Sequence, residues 1–233
     1  MVSSQKIAYC PQGDISANIA FQDGLLAVPS IDGTVALLRF LGEDGFESVW
    51  SKSMKGQIDF QSPPLFLPSA LKGLLVGGFS NTLRFLDAEQ GEIKWEVARD
   101  DVVASPSLLE GGKECVVGSS DGSVSRLHTL SGNVVWRTKV GVPIQTAPLL
   151  VESVYQEKHG GLVVVGTSGK GLFVFSLRTG EQLTTFKHET SKRSWILGQP
   201  QTMRVENEDI ENGEGPLVIV YTTTDGYLVS VHL

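Results

Sequence analysis

The residues that could carry chemistry are few and scattered. Gly166-Thr-Ser-Gly-Lys-Gly171 has the composition of a phosphate-binding loop. Its spacing departs from the Walker pattern, however, and a β turn rather than a helix is expected to follow, so the stretch reads as a variant hairpin. His128, His159, His188 and His232 fall in separate parts of the chain, and no Gly-x-Ser-x-Gly elbow accompanies them. The acidic run from Glu206 to Gly215 carries five carboxylates without the offsets around a glycine that a calcium loop needs. It reads as a solvated loop. Cys10 and Cys115 are too few and too far apart for a disulfide framework, which fits free thiols in a reducing compartment. No catalytic constellation, cofactor site or metal site is expected from these groups.

The elements that must position them are repeats. Residues 114–148 hold a complete unit. A short apolar run ends at Gly118, and Asp121-Gly122 marks a hairpin, expected as a type I′ turn because glycine tolerates positive φ. Val124 to His128 alternates, Ser131-Gly132 turns the chain, Val134-Val135-Trp136 forms an outer strand, and Ile144 to Pro148 opens the next unit. Imperfect copies place the equivalent turn near 33, 81, 122, 170 and 226, and the outer-strand Trp at 50, 95 and 136, with Phe186 close to that place in the fourth copy. Four short strands with tight turns at this period predict an all-β chain of four-stranded antiparallel propeller blades. The expected blades cover roughly 16–51, 58–98, 103–140, 144–187 and 196–233 within one domain. The last has three strands, and Gln5 to Cys10 offers a fourth, which would remove an exposed edge.

A net charge of −7 argues against a nucleic-acid surface. No apolar run approaches a membrane span, and Met1 to Ala8 lacks an apolar signal core. The expectation is a cytoplasmic protein with neither nucleic acid nor membrane as partner.

Leu86-Asp87-Ala-Glu-Gln-Gly91 with Trp95, Val117-Gly-Ser-Ser-Asp-Gly122 and Leu177-Arg-Thr-Gly180 together resemble the pyrroloquinoline-quinone-type propeller repeat over nearly the whole chain. The resemblance implies that Trp50, Trp95 and Trp136 dock between neighbouring blades. Relatives have seven or eight blades. Four complete ones plus one shared therefore suggest the C-terminal part of a larger propeller rather than a five-bladed ring. The chain is also similar to the C-terminal propeller of beta-alanine-activating, acyl-CoA-synthetase-like enzymes. There the preceding adenylating and carrier domains do the chemistry, and neither domain's motifs occur here. A quinone-dependent dehydrogenase of this fold would use vicinal cysteines and a calcium cluster that the sequence does not supply. An outer-membrane assembly propeller would be expected to carry a lipoprotein signal.

A binding or scaffold role therefore leads, with a protein, a peptide or adjacent domains of a longer chain as partner. The loops that precede the first strand of each blade share one end with the Asp-Gly turns. This end gathers Asp32, Asp121 and Asp225 with Gln61, Gln145 and Gln199. One expectation is a polar ring for a peptide or an amide-bearing ligand. The other is that these are only turn-forming Asp and solvated Gln.

Overall fold

The computed structural model describes residues 18–54, 63–77, 82–98, 104–144, 146–152, 156–187, 195–196, 198–204 and 217–232. These residues form five antiparallel sheets, each meandering in chain order. The first holds β1 (Ala20–Gln22), β2 (Leu25–Pro29), β3 (Thr34–Phe40) and β4 (Phe46–Ser53). The second holds β5 (Leu65–Phe66), β6 (Gly73–Val76), β7 (Thr82–Asp87) and β8 (Ile93–Ala98). In the third are β9 (Ser107–Leu108), β10 (Glu114–Gly118), β11 (Ser123–His128) and β12 (Val134–Lys139). The fourth contains β13 (Leu149–Val151), β14 (Leu162–Thr167), β15 (Gly171–Ser176) and β16 (Gln182–Phe186). Three strands make the fifth: β17 (Gln201–Arg204), β18 (Leu217–Thr222) and β19 (Leu228–His232). The expected Gln5–Cys10 strand, the Ser80-Asn81 turn, Cys10 and His188 lie outside the described residues.

The chain divides into two compact units. The first holds sheets one and two together with the Thr129–Gly132 turn, and the second holds sheets three to five. Within each unit, neighbouring sheets bury apolar side chains against each other. Leu37, Trp50, Phe66 and Leu74 pack between sheets one and two. Val116, Trp136, Val163 and Phe175 pack between three and four, and Val164, Val174, Ile219 and Tyr221 between four and five. The middle strands are therefore covered on both faces. Every residue of β14 and β15 is buried, which is why they read as apolar runs rather than as alternating strands. The outer strand β12 alternates, because only one of its faces meets a neighbour.

Two local features differ from expectation. Asp121-Gly122 does not form a type I′ turn. Ser119 O accepts the Gly122 N–H at 2.9 Å, Ser119 N donates to Ser123 O at 2.9 Å, and of Asp121 and Gly122 only Gly122 has positive φ. This is a three-residue loop with a type I turn closed by a left-handed glycine, and Ser30–Thr34 and Thr223–Tyr227 repeat it. A two-residue turn with positive φ at both positions occurs instead at Asp23-Gly24, between β1 and β2.

The second difference concerns the outer strand. In all four four-stranded sheets a β-bulge interrupts the pairing of the third and fourth strands. Just before it, Trp50 faces Leu37, Trp95 faces Phe85 and Trp136 faces Arg126. In the fourth sheet the residue in that register is Thr184, facing Val174. Phe186 lies two residues further on, opposite Leu172. The tryptophan position of this sheet is thus occupied by threonine, and a cavity of about 250 Å³ beside it is lined by Val174, Leu183, Thr184, Phe186 and the two histidines His159 and His232.

Candidate functional site

The tryptophans act through the turn of the following sheet. Trp50 Nε1 donates to Ala88 O at 3.0 Å, Trp95 Nε1 to Thr129 O at 2.9 Å, and Trp136 Nε1 to Leu177 O at 2.9 Å. Each indole lies flat on the glycine of the turn it bonds. A Cβ at Gly91 would stand 2.6 Å from Trp50 Cδ2, one at Gly132 2.8 Å from Trp95 Cδ2, and one at Gly180 2.5 Å from Trp136 Cε3. These glycines are required twice over, since each also has positive φ. At the third interface Arg126 Nη1 donates to the same Leu177 carbonyl at 2.8 Å, and Thr138 Oγ1 donates to Gly180 O at 2.6 Å. Arg126 is itself held by Glu114.

The turn aspartates are engaged locally. Asp32 Oδ1 accepts the Thr34 N–H at 2.9 Å, and Asp121 Oδ1 accepts the Ser123 N–H at 2.8 Å. Asp121 Oδ2 also accepts Arg137 Nη2 at 2.8 Å and lies 4.0 Å from Lys139 Nζ. Burial alone would raise the Asp121 carboxyl, but hydrogen bonds from Ser123 and Ser119 and the Arg137 charge outweigh it and hold the pKa below the usual range. Asp225 occupies the matching turn of the fifth sheet. In the second sheet Asp87 Oδ1 accepts the N–H groups of Glu89 and Gln90, and the Gln90 bond is the leading cause of its lowered pKa.

The sign of the pH effect follows. A carboxyl depressed by folding contributes stability that is complete above its unfolded value and is lost as pH falls through its folded value. Asp87→Asn should therefore lower stability near neutrality. Its difference from wild type should shrink once the pH drops below about 4. Urea unfolding at a series of pH values measures this, and a difference that stays constant from neutral to acid pH would contradict it.

Of the glutamines, Gln61 and Gln145 lie outside the described residues. Gln199 does not stand alone. Its Nε2 donates to Pro148 O at 2.8 Å and approaches Ser107 Oγ at 3.4 Å, and Ser107 Oγ donates to Pro148 O at 2.5 Å. Ser107 begins β9, Pro148 precedes β13, and Gln199 precedes β17. One small network therefore ties the entry points of three consecutive sheets in the second unit. The crossing segments also run directly over the strands they pass. Ile144 bridges Thr167, and Ile196 bridges Thr223. A Cβ at Gly118 would meet Ile144 at 2.5 Å and one at Gly166 would meet Ile196 at 2.6 Å, so glycine is what lets these isoleucines sit there.

Two further concavities separate into different chemistries. In the first unit a cleft of about 460 Å³ has an apolar floor of Leu25, Leu37, Val49 and Phe66. Its rim is electrically balanced, with Lys72 Nζ 2.5 Å from Glu89 Oε1 and Ser69 bonded to Asp23. In the fourth sheet a cavity of about 430 Å³ is lined by Gly169, Lys170, Phe173, Thr185 and Lys187. The glycine–lysine turn stands out in the sequence, but Thr185 and Lys187 become visible only once the register of β16 is known. Among the described residues no group of His, Cys, Asp and Glu is arranged to hold a metal ion, and no helix is long and apolar enough to cross a membrane.

Comparison with known proteins adds three kinds of likeness. Residues 32–194 match the family model described as outer membrane protein assembly factor BamB. Among curated proteins, the Caenorhabditis elegans serine/threonine-protein kinase/endoribonuclease ire-1 is 27% identical over 130 residues, covering 56% of this chain and 13% of that protein. The Drosophila melanogaster beta-alanine-activating enzyme is 35% identical over 71 residues, covering 30% of this chain and 7% of that enzyme. The chain thus spans only a small part of either curated relative. Among solved structures, BamB from Moraxella catarrhalis superposes with a TM-score of 0.70 at 18% identity, covering 96% of this chain and 60% of that one. The WD40 β-propeller domain of Doa1 superposes with a TM-score of 0.62 at 14% identity, covering 92% of this chain and 62% of that one. These structures show the propeller-blade fold.

Proposed function

The chain belongs to the family of outer membrane protein assembly factor BamB, whose model spans residues 32–194, and from that premise we propose that it is a binding module that acts on a protein partner without chemistry of its own. As a member of this family it is a propeller scaffold. The observation that carries the proposal is how the repeat's conspicuous polar groups are used. The Trp indoles, Asp32, Asp87 and Asp121 all serve turns or neighbouring sheets, which leaves a rigid frame whose distinguishing features are the places where one copy departs from the others.

The finer reading is that the module is the propeller part of a beta-alanine-activating, acyl-adenylating and carrier-linked enzyme. The identity of 35% over 71 residues to the fly enzyme supports it. In that setting the chain works in the cytoplasm, a compartment compatible with the buried thiol of Cys115, which forms no disulfide among the described residues. The purified chain should then co-elute from a sizing column with the adenylating and carrier region of such an enzyme, and cross-links should map to its turns. Separate elution with no cross-links would overturn the finer reading.

A second reading, a part in outer-membrane protein assembly, is favoured by the family match and by the superposition on BamB over 96% of the chain. Co-elution with a β-barrel assembly component and not with the acyl-activating region would select it.

A further inference from the structure

We propose that the cavity between Lys170 and Lys187 on the fourth sheet binds the carboxylate of an acidic side chain on a partner polypeptide. The argument comes from comparing two sheets of the same chain. Gly118 pairs with Val124 in the third sheet and Gly166 with Leu172 in the fourth, and the bulge falls at the same place in both. This register matches Asp121 with Gly169, Gly122 with Lys170, Arg137 with Thr185, and Lys139 with Lys187.

In the third sheet the Asp121 carboxylate is 6% exposed and neutralises the outer strand, bonding Arg137 at 2.8 Å with Lys139 at 4.0 Å. In the fourth sheet that carboxylate is replaced by Gly169. The outer-strand lysine is retained as Lys187, and a second cation, Lys170, is added on the turn. Gly169, Lys170, Phe173, Thr185 and Lys187 then enclose the cavity of about 430 Å³. Among the described residues neither lysine has an acidic partner; Lys52, Lys113 and Lys158 have none either, but Lys170 and Lys187 are the two that line one cavity.

The remaining groups suit an anion as well. Thr185 Oγ1 accepts Gln182 Nε2 at 3.0 Å, so its own O–H is available to donate. The turn is held in place. Thr167 Oγ1 donates to Gly171 O at 2.8 Å, and a Cβ at Gly171 would stand 2.0 Å from Phe186 O. In a chain of net charge −7, an acidic ligand is repelled by most of the surface and drawn to this point. A carboxylate is preferred as ligand because a carboxylate is what the matching site of the third sheet holds. That a polypeptide supplies it rests on the protein-binding reading above.

The test is NMR titration of the isotope-labelled full chain with four probes: acetyl-Gly-Asp-Gly-amide, its Asn counterpart, sodium acetate and inorganic phosphate. The Asp peptide should shift the amides of residues 169–171 and 187 and bind about three- to tenfold tighter than the Asn peptide, with the difference fading as salt is raised. Lys170→Ala/Lys187→Ala should abolish the preference with an unchanged Tm, since both side chains are exposed. Gly169→Asp/Lys170→Gly restores the Asp-Gly order of the third sheet, moves the left-handed position from 169, where φ is now +76°, to a glycine at 170, and supplies an internal carboxylate; it should abolish the preference too. Equal binding of the two peptides, or a preference that survives both double variants, would overturn the proposal. Phosphate binding tighter than the Asp peptide would overturn the carboxylate assignment, and acetate binding as tightly as the Asp peptide would overturn the polypeptide assignment. Co-elution with a partner that persists in Gly169→Asp/Lys170→Gly leaves the module's proposed function standing while this site falls. Loss of co-elution with intact peptide binding does the reverse.

Discussion

Trp136→Ala is expected to destabilise the chain by about 3–5 kcal/mol, the usual range for deleting a buried tryptophan. Trp136 is 9% exposed and packs among Val116, Val163 and Phe175 between the third and fourth sheets. Its removal leaves a cavity and withdraws the Nε1–H from Leu177 O. That carbonyl keeps Arg126 as a donor, so the loss is chiefly one of packing rather than of an orphaned acceptor. Trp136→Phe should recover much of the packing but not the N–H bond. Trp95 is less buried than Trp136, and Trp95→Ala should cost less. Urea unfolding of the three variants measures the order. A Trp136→Ala protein as stable as wild type would remove the interface from the account.

The second large effect lies on the other side of the same contact. Gly180→Ala should cost about 2–5 kcal/mol, combining roughly 1–2 for a non-glycine residue in the left-handed region with about 1–3 for overpacking. The added Cβ would lie 2.5 Å from Trp136 Cε3, inside a ring that cannot move without disturbing its own bond to Leu177. Gly226 provides the control. Its φ is +87°, yet nothing lies within 4 Å of a Cβ placed there. Gly226→Ala should therefore show only the conformational part, about 1–2 kcal/mol. Similar losses at the two glycines would mean that backbone conformation alone sets the cost and that the indole contact contributes nothing.

Much of this architecture can be read from the amino-acid sequence because each blade repeats the same solution. Apolar runs of four to six residues, an aspartate or glycine turn and an outer tryptophan recur closely enough to place the later strands of each described sheet within a few residues, whereas the short first strands begin at Leu65, Ser107, Leu149 and Gln201, later than the Ile58, Val103, Ile144 and Ile196 openings that the sequence suggests. The type of the Asp121-Gly122 turn was less legible. An Asp-Gly pair suits both a two-residue loop and a three-residue loop, and the strand pairing chooses between them. The vacated tryptophan position is masked by residue type rather than by spacing. Trp95 and Trp136 each stand four residues after their turn glycines, Gly91 and Gly132, and the same count from Gly180 gives Thr184, whereas the aromatic ring of Phe186 draws the reading two residues further on.

Site residues were harder still, because their environment is set by neighbouring sheets. Asp32, Asp121 and Gln199 look alike as exposed polar groups in sequence. In the fold Asp32 caps its own turn, Asp121 neutralises an outer strand, and Gln199 joins three chain crossings. The pairing of Lys170 with Lys187 joins residues from a turn and from the end of the next hairpin. It acquires meaning only beside Asp121, Arg137 and Lys139 in the preceding sheet.

The central claim is that each outer-strand tryptophan is seated on a turn glycine of the following sheet, as Trp136 of the third sheet is on Gly180 of the fourth. A double-mutant cycle on Trp136 and Gly180, read by urea unfolding, tests it most directly. In the wild-type background Gly180→Ala should carry both its conformational cost and the clash. In the Trp136→Ala background the clash is gone, and the same substitution should cost only about 1–2 kcal/mol. An equal cost for Gly180→Ala in both backgrounds would show that the two residues do not interact and would contradict the claim.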